Sequence, residues 1–219
     1  DVRQLRTALR RLRQLTRTGD KSELDLDETI DETCRNAGEI ELVFRAEQRN
    51  DLRLLLLMDV GGTMEPFVEP VSKLLTALHQ ERGLREFQAY YFHNCVYEEL
   101  AKSARLLRRD AVPTGELLHK LDGRWKVILV GDAAMHPAEL LEANGSIDPR
   151  RGTATRGIDW LRRIKDHFER AVWLNPEPES QWSRYQTVQL VRRIFPMFHL
   201  SVDGIHEAVS ALVGARAAH

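Results

Sequence analysis

The chain has 219 residues, 42% of them hydrophobic and 30% charged, which is enough apolar material for one large domain or one domain with an appendage and excludes a disordered tail. Its 32 Lys and Arg against 33 Asp and Glu leave a formal net charge of −1, which argues against a general electrostatic grip on nucleic acid. Two cysteines, Cys34 and Cys95, are too few for a disulfide scaffold or a cysteine-based zinc site, and the longest purely apolar run, residues 54–58, falls far short of the roughly 20 residues of a membrane helix.

Residues 1–50 differ in character from the rest. Arg3, Arg6, Arg10, Arg13 and Arg17 are spaced three, four, three and four apart, and Val2, Leu5, Leu9, Leu12 and Thr16 form a neighbouring stripe. This spacing predicts an amphipathic helix over residues 1–17. Residues 20–32 (DKSELDLDETIDE) are dense in Asp and Glu. Together these make a helical, charged N-terminal extension, residues 1–50, ahead of a domain over residues 51–214.

From residue 52 the period changes. Residues 52–58 (LRLLLLM) run almost without a polar break into Asp59, as in a strand buried on both faces of a parallel sheet. Residues 126–130 (KVILV) and 171–174 (AVWL) read the same way, 87–92 (FQAYYF) alternates more, 95–97 suit a short edge strand, and 197–200 (MFHL) form a late strand. Helical patterns lie between: Phe67, Val71, Leu74, Leu75 and Leu78; a short helix over 115–121 that Thr114 is placed to cap; Ile158, Leu161, Ile164 and Phe168; residues 182–195; and a last helix with Ile205, Ala208, Val209, Leu212 and Val213 on one face and Asp203 as its cap. Strands alternating with helices predict an α/β fold with a doubly wound, mostly parallel sheet and helices on both faces. Residues 144–155 (NGSIDPRRGTAT) read as a long surface loop.

In such a sheet, ligands bind at the carboxyl ends of the strands. Asp59 ends one strand, in DVGGT, and Asp132 follows another, in VGDAA. Two carboxylates with the hydroxyls of Thr63 and Thr114 make a set of hard oxygen donors suited to Mg²⁺ or Mn²⁺. Taken singly, a strand-end Asp is as readily a turn former, and a Thr before a helix a cap.

The combination resembles the von Willebrand factor A domain and its metal-ion-dependent adhesion site, Asp-x-Ser-x-Ser with a later Thr and Asp. Asp59, Gly61 and Thr63 take the first three places, Thr114 the fourth and Asp132 the fifth. More narrowly, residues 23–38 (ELDLDETIDETCRNAG), 54–64 (LLLLMDVGGTM), 90–98 (YYFHNCVYE), 127–140 (VILVGDAAMHPAEL) and stretches within 173–205 (WLNPEPESQW, FPMFHLSVDGI) are similar to the bacterial CoxE-like von Willebrand A proteins. The resemblance implies a Rossmann-like von Willebrand A fold and a binding function without catalysis. A divalent metal would be held by Asp59, Thr63, Thr114 and Asp132 and completed by a client protein's Asp or Glu. It also implies partnership with a MoxR-type AAA+ ATPase, as a chaperone in metalloenzyme maturation or complex assembly. Gly61 stands where the pattern has its first Ser, so one hydroxyl ligand is missing and metal binding is expected to be weaker. Gly61→Ser is expected to restore that hydroxyl unless the backbone there resists a side chain.

DVGGT is also similar to the phosphate loop of actin-like phosphotransferases, the rival reading. There the loop lies near the N-terminus and leads into a β-hairpin. Here about 50 residues precede it and a helical pattern follows. Of the eight histidines, His136 lies four residues beyond Asp132, near the expected crevice, and reads as a rim residue, while Cys95, beside His93 and Asn94, reads as a packed thiol. With no signal-peptide pattern at the start of the sequence, the expected compartment is the cytoplasm.

Overall fold

The computed structural model of the chain describes residues 2–12, 15–36, 39–50, 52–81, 84–147 and 154–213. Residues 15–50 fold as one compact unit; residues 2–12 and 52–213 form another.

The first helix, α1 (Val2–Leu9), ends in a 3-10 turn, Arg10–Leu12. Leu9 and Leu12 are fully buried and Leu5 packs beside them, so the apolar stripe holds α1 against the larger unit. Burying each leucine is worth about 1.5–3 kcal/mol. The helix predicted to run to residue 17 therefore stops early. From Leu15 the chain is strand β1 (Leu15–Leu24), paired antiparallel with β2 (Phe44–Asn50). Main-chain pairing to a distant segment overrides a helical spacing that persists in the arginines. Between the strands lies α2 (Leu26–Arg35), capped by Asp25, whose carboxylate accepts the Glu28 N–H at 3.3 Å. The extension expected over residues 1–50 is thus divided, because α1 belongs to the larger unit.

The larger unit continues with β3 (Arg53–Asp59), α3 (Val68–His79), β4 (Glu86–Phe92), β5 (Glu99–Ala101), β6 (Ala111–Pro113), α4 (Thr114–Lys120), β7 (Lys126–Val130), α5 (Pro137–Leu141), α6 (Gly157–His167), β8 (Arg170–Asn175), α7 (Gln186–Arg192), β9 (Met197–His199) and α8 (Val202–Val213). Seven strands form one sheet in the order β6-β5-β4-β3-β7-β8-β9. The β4–β5 and β5–β6 pairs are antiparallel and the rest are parallel. This is the doubly wound, mostly parallel α/β sheet that the alternation of strands and helices predicts.

The strand runs are apolar throughout because both faces are covered. Leu55, Leu57, Val127, Leu129, Ala171 and Trp173 face a core closed by Leu117 of α4, Leu161 and Ile164 of α6 and Val188 of α7. Their neighbours Leu54, Leu56, Met58, Ile128, Val130, Val172 and Leu174 face the other core, closed by Leu9 of α1, Leu74 of α3 and Val209 of α8. The period of two along each strand sorts the side chains between the layers.

Several local expectations are corrected. Residues 95–97 are not an edge strand but make a single bridge, His93 to Cys95, and the edge is built from β5 and β6. Residues 182–195 split into a 3-10 turn, Glu179–Arg184, followed by α7. Asp203 sits inside the first turn of α8, and the Ser201 hydroxyl accepts the Gly204 N–H at 3.1 Å instead. Thr114 is the first residue of α4 and makes no side-chain cap. Among the described residues no helix is long and apolar enough to cross a membrane.

Candidate functional site

Strands β3 and β7 are adjacent and parallel, with Met58 opposite Val130. Asp59 is the last residue of β3, and Asp132 comes two residues after the end of β7. The connections from β3 and β7 lead away to opposite sides of the sheet, so the two aspartates mark its topological switch point. Both are buried, Asp59 at 3% and Asp132 at 4% exposure.

Each aspartate is fixed by hydrogen bonds from neighbouring loops. Asp59 Oδ1 accepts the Asn94 N–H at 2.8 Å, from the turn after β4. Asp132 Oδ1 accepts the Ala134 N–H at 2.8 Å, closing a turn in which Ala133 is left-handed, with φ +57°. The Asn175 side chain, at the end of β8, donates to the Asp132 carbonyl at 2.8 Å, and Trp173 Nε1 donates to the Gly131 carbonyl at 2.7 Å. Gly131 is needed for close approach, since a Cβ there would lie 2.9 Å from the Asp59 Cβ and 3.4 Å from the Trp173 ring.

Burial raises the Asp59 pKa well above the ordinary carboxylate range; the Asn94 N–H opposes this, and the charges of Asp132 and Glu139 add to it. Among the described residues no Lys, Arg or His forms an ion pair with Asp59 or Asp132. Two buried carboxylates within electrostatic reach of each other, without a compensating cation, fit a divalent ion better than they fit a structural ion pair.

The hydroxyls are less closely gathered. Thr63 is exposed on the 3-10 turn Gly62–Phe67 that follows the DVGGT loop. Thr114 is buried at 1% exposure; its hydroxyl donates to the Tyr97 carbonyl at 2.5 Å and its N–H to the Glu98 carbonyl at 2.7 Å, so its hydrogen bonds go to the β4–β5 connection. Gly61 has φ +85° and ψ −179°, a region essentially restricted to glycine, and a Cβ there would meet His93 Nδ1 at 3.4 Å. The glycine in place of the pattern's serine is therefore built into the backbone path of the loop. That loop leads into a 3-10 turn and α3, not a β-hairpin.

Sequence reasoning missed Asn94, Glu139 and Asn175. Glu139 is buried at 1% exposure, and both its carboxylate oxygens accept from Asn94 Nδ2, at 3.0 and 3.1 Å. Its Oε2 also accepts the His136 N–H at 3.1 Å, and His136 Nδ1 accepts the Ala138 N–H at 3.2 Å, a capping box on α5 with histidine in the place of Ser or Thr. His136 is thus a helix cap. Glu139 does not join the aspartates as a chelate; among the described residues no cluster of three or more His, Cys, Asp or Glu is arranged to hold a metal. The Asn175 signal was available, since it ends β8 beside Asp132. The His93 imidazole bonds the Val60 carbonyl at 2.8 Å and backs the glycine loop. Burial, with Asp59 nearby, pushes the Cys95 thiol far up, the opposite of what a nucleophilic thiol needs.

The family model of the "VWA domain containing CoxE-like protein" matches residues 1–125 of the 219, a span that holds Asp59, Gly61, Thr63 and Thr114 and ends before Asp132. No curated protein and no solved structure matches the chain significantly. The seven-stranded sheet agrees with the family's Rossmann-like α/β fold. With more than half its length matched, the chain belongs to the VWA domain-containing CoxE-like proteins, a family whose domains serve in protein interaction.

Proposed function

We propose that the chain is a cytoplasmic, divalent-cation-dependent adaptor that presents client proteins to a MoxR-type AAA+ ATPase during metalloenzyme maturation or complex assembly. The observation that carries this reading is the pair of buried carboxylates, Asp59 and Asp132, at the ends of adjacent parallel strands with no described cation beside them. Asp59 and Asp132 would hold Mg²⁺ or Mn²⁺ with help from the Thr63 and Thr114 hydroxyls. Gly61 offers no side-chain oxygen, so water fills that place and affinity is modest. When bound, the ion supplies an open coordination position for a client's Asp or Glu. The chain's own groups orient the site: the Asn94 and Val60 N–H groups hold the Asp59 carboxylate, and the Ala134 N–H fixes one oxygen of Asp132.

The test is capture of a purified MoxR-type ATPase and its client by immobilised wild type and by Asp59→Ala, in Mg²⁺ and in EDTA. Client retention by wild type in Mg²⁺ alone supports the proposal. Equal retention in all arms refutes the cation's part, and no ATPase bound under any condition refutes the partnership.

A further inference from the structure

The small unit formed by β1, α2 and β2 exposes apolar side chains where a stable helix normally buries them. Leu26, Ile30 and Cys34 are four residues apart, one stripe of α2, and Leu26 and Ile30 are 63% and 59% exposed. The buried position on the helix is a polar one: the Thr29 hydroxyl accepts the Val43 N–H at 3.0 Å. Along the segment that Val43 belongs to, the pattern repeats, with Ile40, Leu42 and Phe44 turned outward at 77%, 57% and 42% exposure. Five of the nine large hydrophobic side chains exposed among the described residues thus fall within residues 26–44. Single exposed apolar residues need no explanation, but such a concentration marks a docking surface.

The charge around it selects the partner. Residues 23–42 hold eight carboxylates and one arginine. Arg35 pairs with Glu32, and Arg45 with Glu23 and Asp25. Asp27, Glu28 and Asp31 are exposed and make no ion pair among the described residues. An apolar stripe bordered by unneutralised acids is complementary to an amphipathic helix with Leu, Ile or Phe on one face and Lys or Arg beside them. The acids disfavour an anionic bilayer. They also disfavour a second copy of this chain, because twofold pairing of the face sets acid against acid.

We infer that the outward side chains of α2 and of the segment bonded to it at Thr29, namely Leu26, Ile30, Leu42 and Phe44, are the apolar anchors, and Asp27 and Asp31 the charge partners, for a basic amphipathic helix of a partner protein. This rests on the small unit alone and is independent of the cation site.

The probe is a fluorescein-labelled synthetic helix of Leu and Lys with one apolar face, about 18 residues long so that it is able to form. A scrambled peptide of the same composition and a Leu/Glu helix are the controls. The wild-type chain should bind the Leu/Lys helix about tenfold more tightly than either control, by anisotropy. Ile30→Ser with Leu42→Ser, and separately Asp27→Asn with Asp31→Asn, should each weaken binding about fivefold or more. All these residues are exposed, and circular dichroism checks that the fold is kept. Acrylodan on the exposed Cys34 should shift to the blue on adding the helix, since Cys95 is buried and does not react. Equal binding of the scrambled peptide, or unchanged affinity in the Ile30/Leu42 variant, overturns the inference. So does an unshifted acrylodan signal, tighter binding to anionic vesicles than to the helix, or a wild-type dimer that the Ile30/Leu42 variant abolishes.

Discussion

The Asn94 N–H donates to the Asp59 carboxylate at 2.8 Å, from a residue held in the left-handed conformation with φ +57°. The side-chain amide of the same residue holds both oxygens of Glu139. One residue therefore ties the end of β3 to the start of α5 and sets the direction in which Asp59 presents its second oxygen.

Replacing Asn94 separates its two roles. Asn94→Gly keeps the backbone path and the N–H to Asp59 but leaves the Glu139 carboxylate short of a donor, at a cost of about 1.5–3 kcal/mol for a hydrogen bond to a charged group. Asn94→Ala adds about 1–2 kcal/mol for a left-handed alanine. Urea denaturation should therefore rank wild type above Asn94→Gly and Asn94→Gly above Asn94→Ala. An alanine variant as stable as the glycine variant would contradict the account.

A pH dependence follows from Asp59. Its pKa in the folded, cation-free protein is raised, chiefly by burial, so the native state holds that proton more tightly than the unfolded chain does. The resulting stability is fully present below the unfolded value of about 4 and is lost as pH rises through the raised folded value. In EDTA, Asp59→Asn, which keeps an oxygen for the Asn94 N–H but does not titrate, should become more stable than wild type as pH rises. The gap should close toward pH 4. Saturating cation at about 100 times Kd should add about 2.7 kcal/mol to wild type and nothing to the variant. Parallel stability curves for the two proteins in EDTA would show that Asp59 carries no such burden.

Gly61→Ser should not improve the site. With φ +85° and ψ −179°, a serine there costs about 1–3 kcal/mol in backbone strain, with its Cβ in van der Waals contact with His93. The expected outcome in thermal denaturation is a less stable protein, with no tighter cation binding by calorimetry. A serine variant of unchanged stability that binds cation more tightly would mean that the loop moves freely.

Gly131→Ala tests close packing at the switch point. A methyl 2.9 Å from the Asp59 Cβ forces the carboxylate aside, and overpacking of this kind costs about 1–3 kcal/mol. The variant should lose both stability and cation response, as read by thermal denaturation with and without Mn²⁺.

The central sheet was legible because its strands are covered on both faces, so residues 54–58, 127–130 and 171–174 carry unbroken apolar runs that few other structures tolerate. The carboxylates were legible for the same reason, since a charge that closes such a run must lie where the strand ends, at the carboxyl end of the sheet. The three-residue strands β5 and β6 carry no period long enough to read. The β1–β2 ribbon is set by main-chain bonds between segments distant in sequence, while Arg17, on β1, continues the helical spacing of the arginines before it. Asn94 and Glu139 escaped notice because their importance comes from a contact across 45 residues. The conformation of Gly61 is a property of the loop's path, which composition does not reveal.

The most direct test of the central claim is titration calorimetry of Mn²⁺ into wild type and into Asp59→Ala, each shown to be folded by circular dichroism. The account predicts a single site in wild type and none in Asp59→Ala. Absence of binding in folded wild type, or equal binding by both proteins, would contradict it.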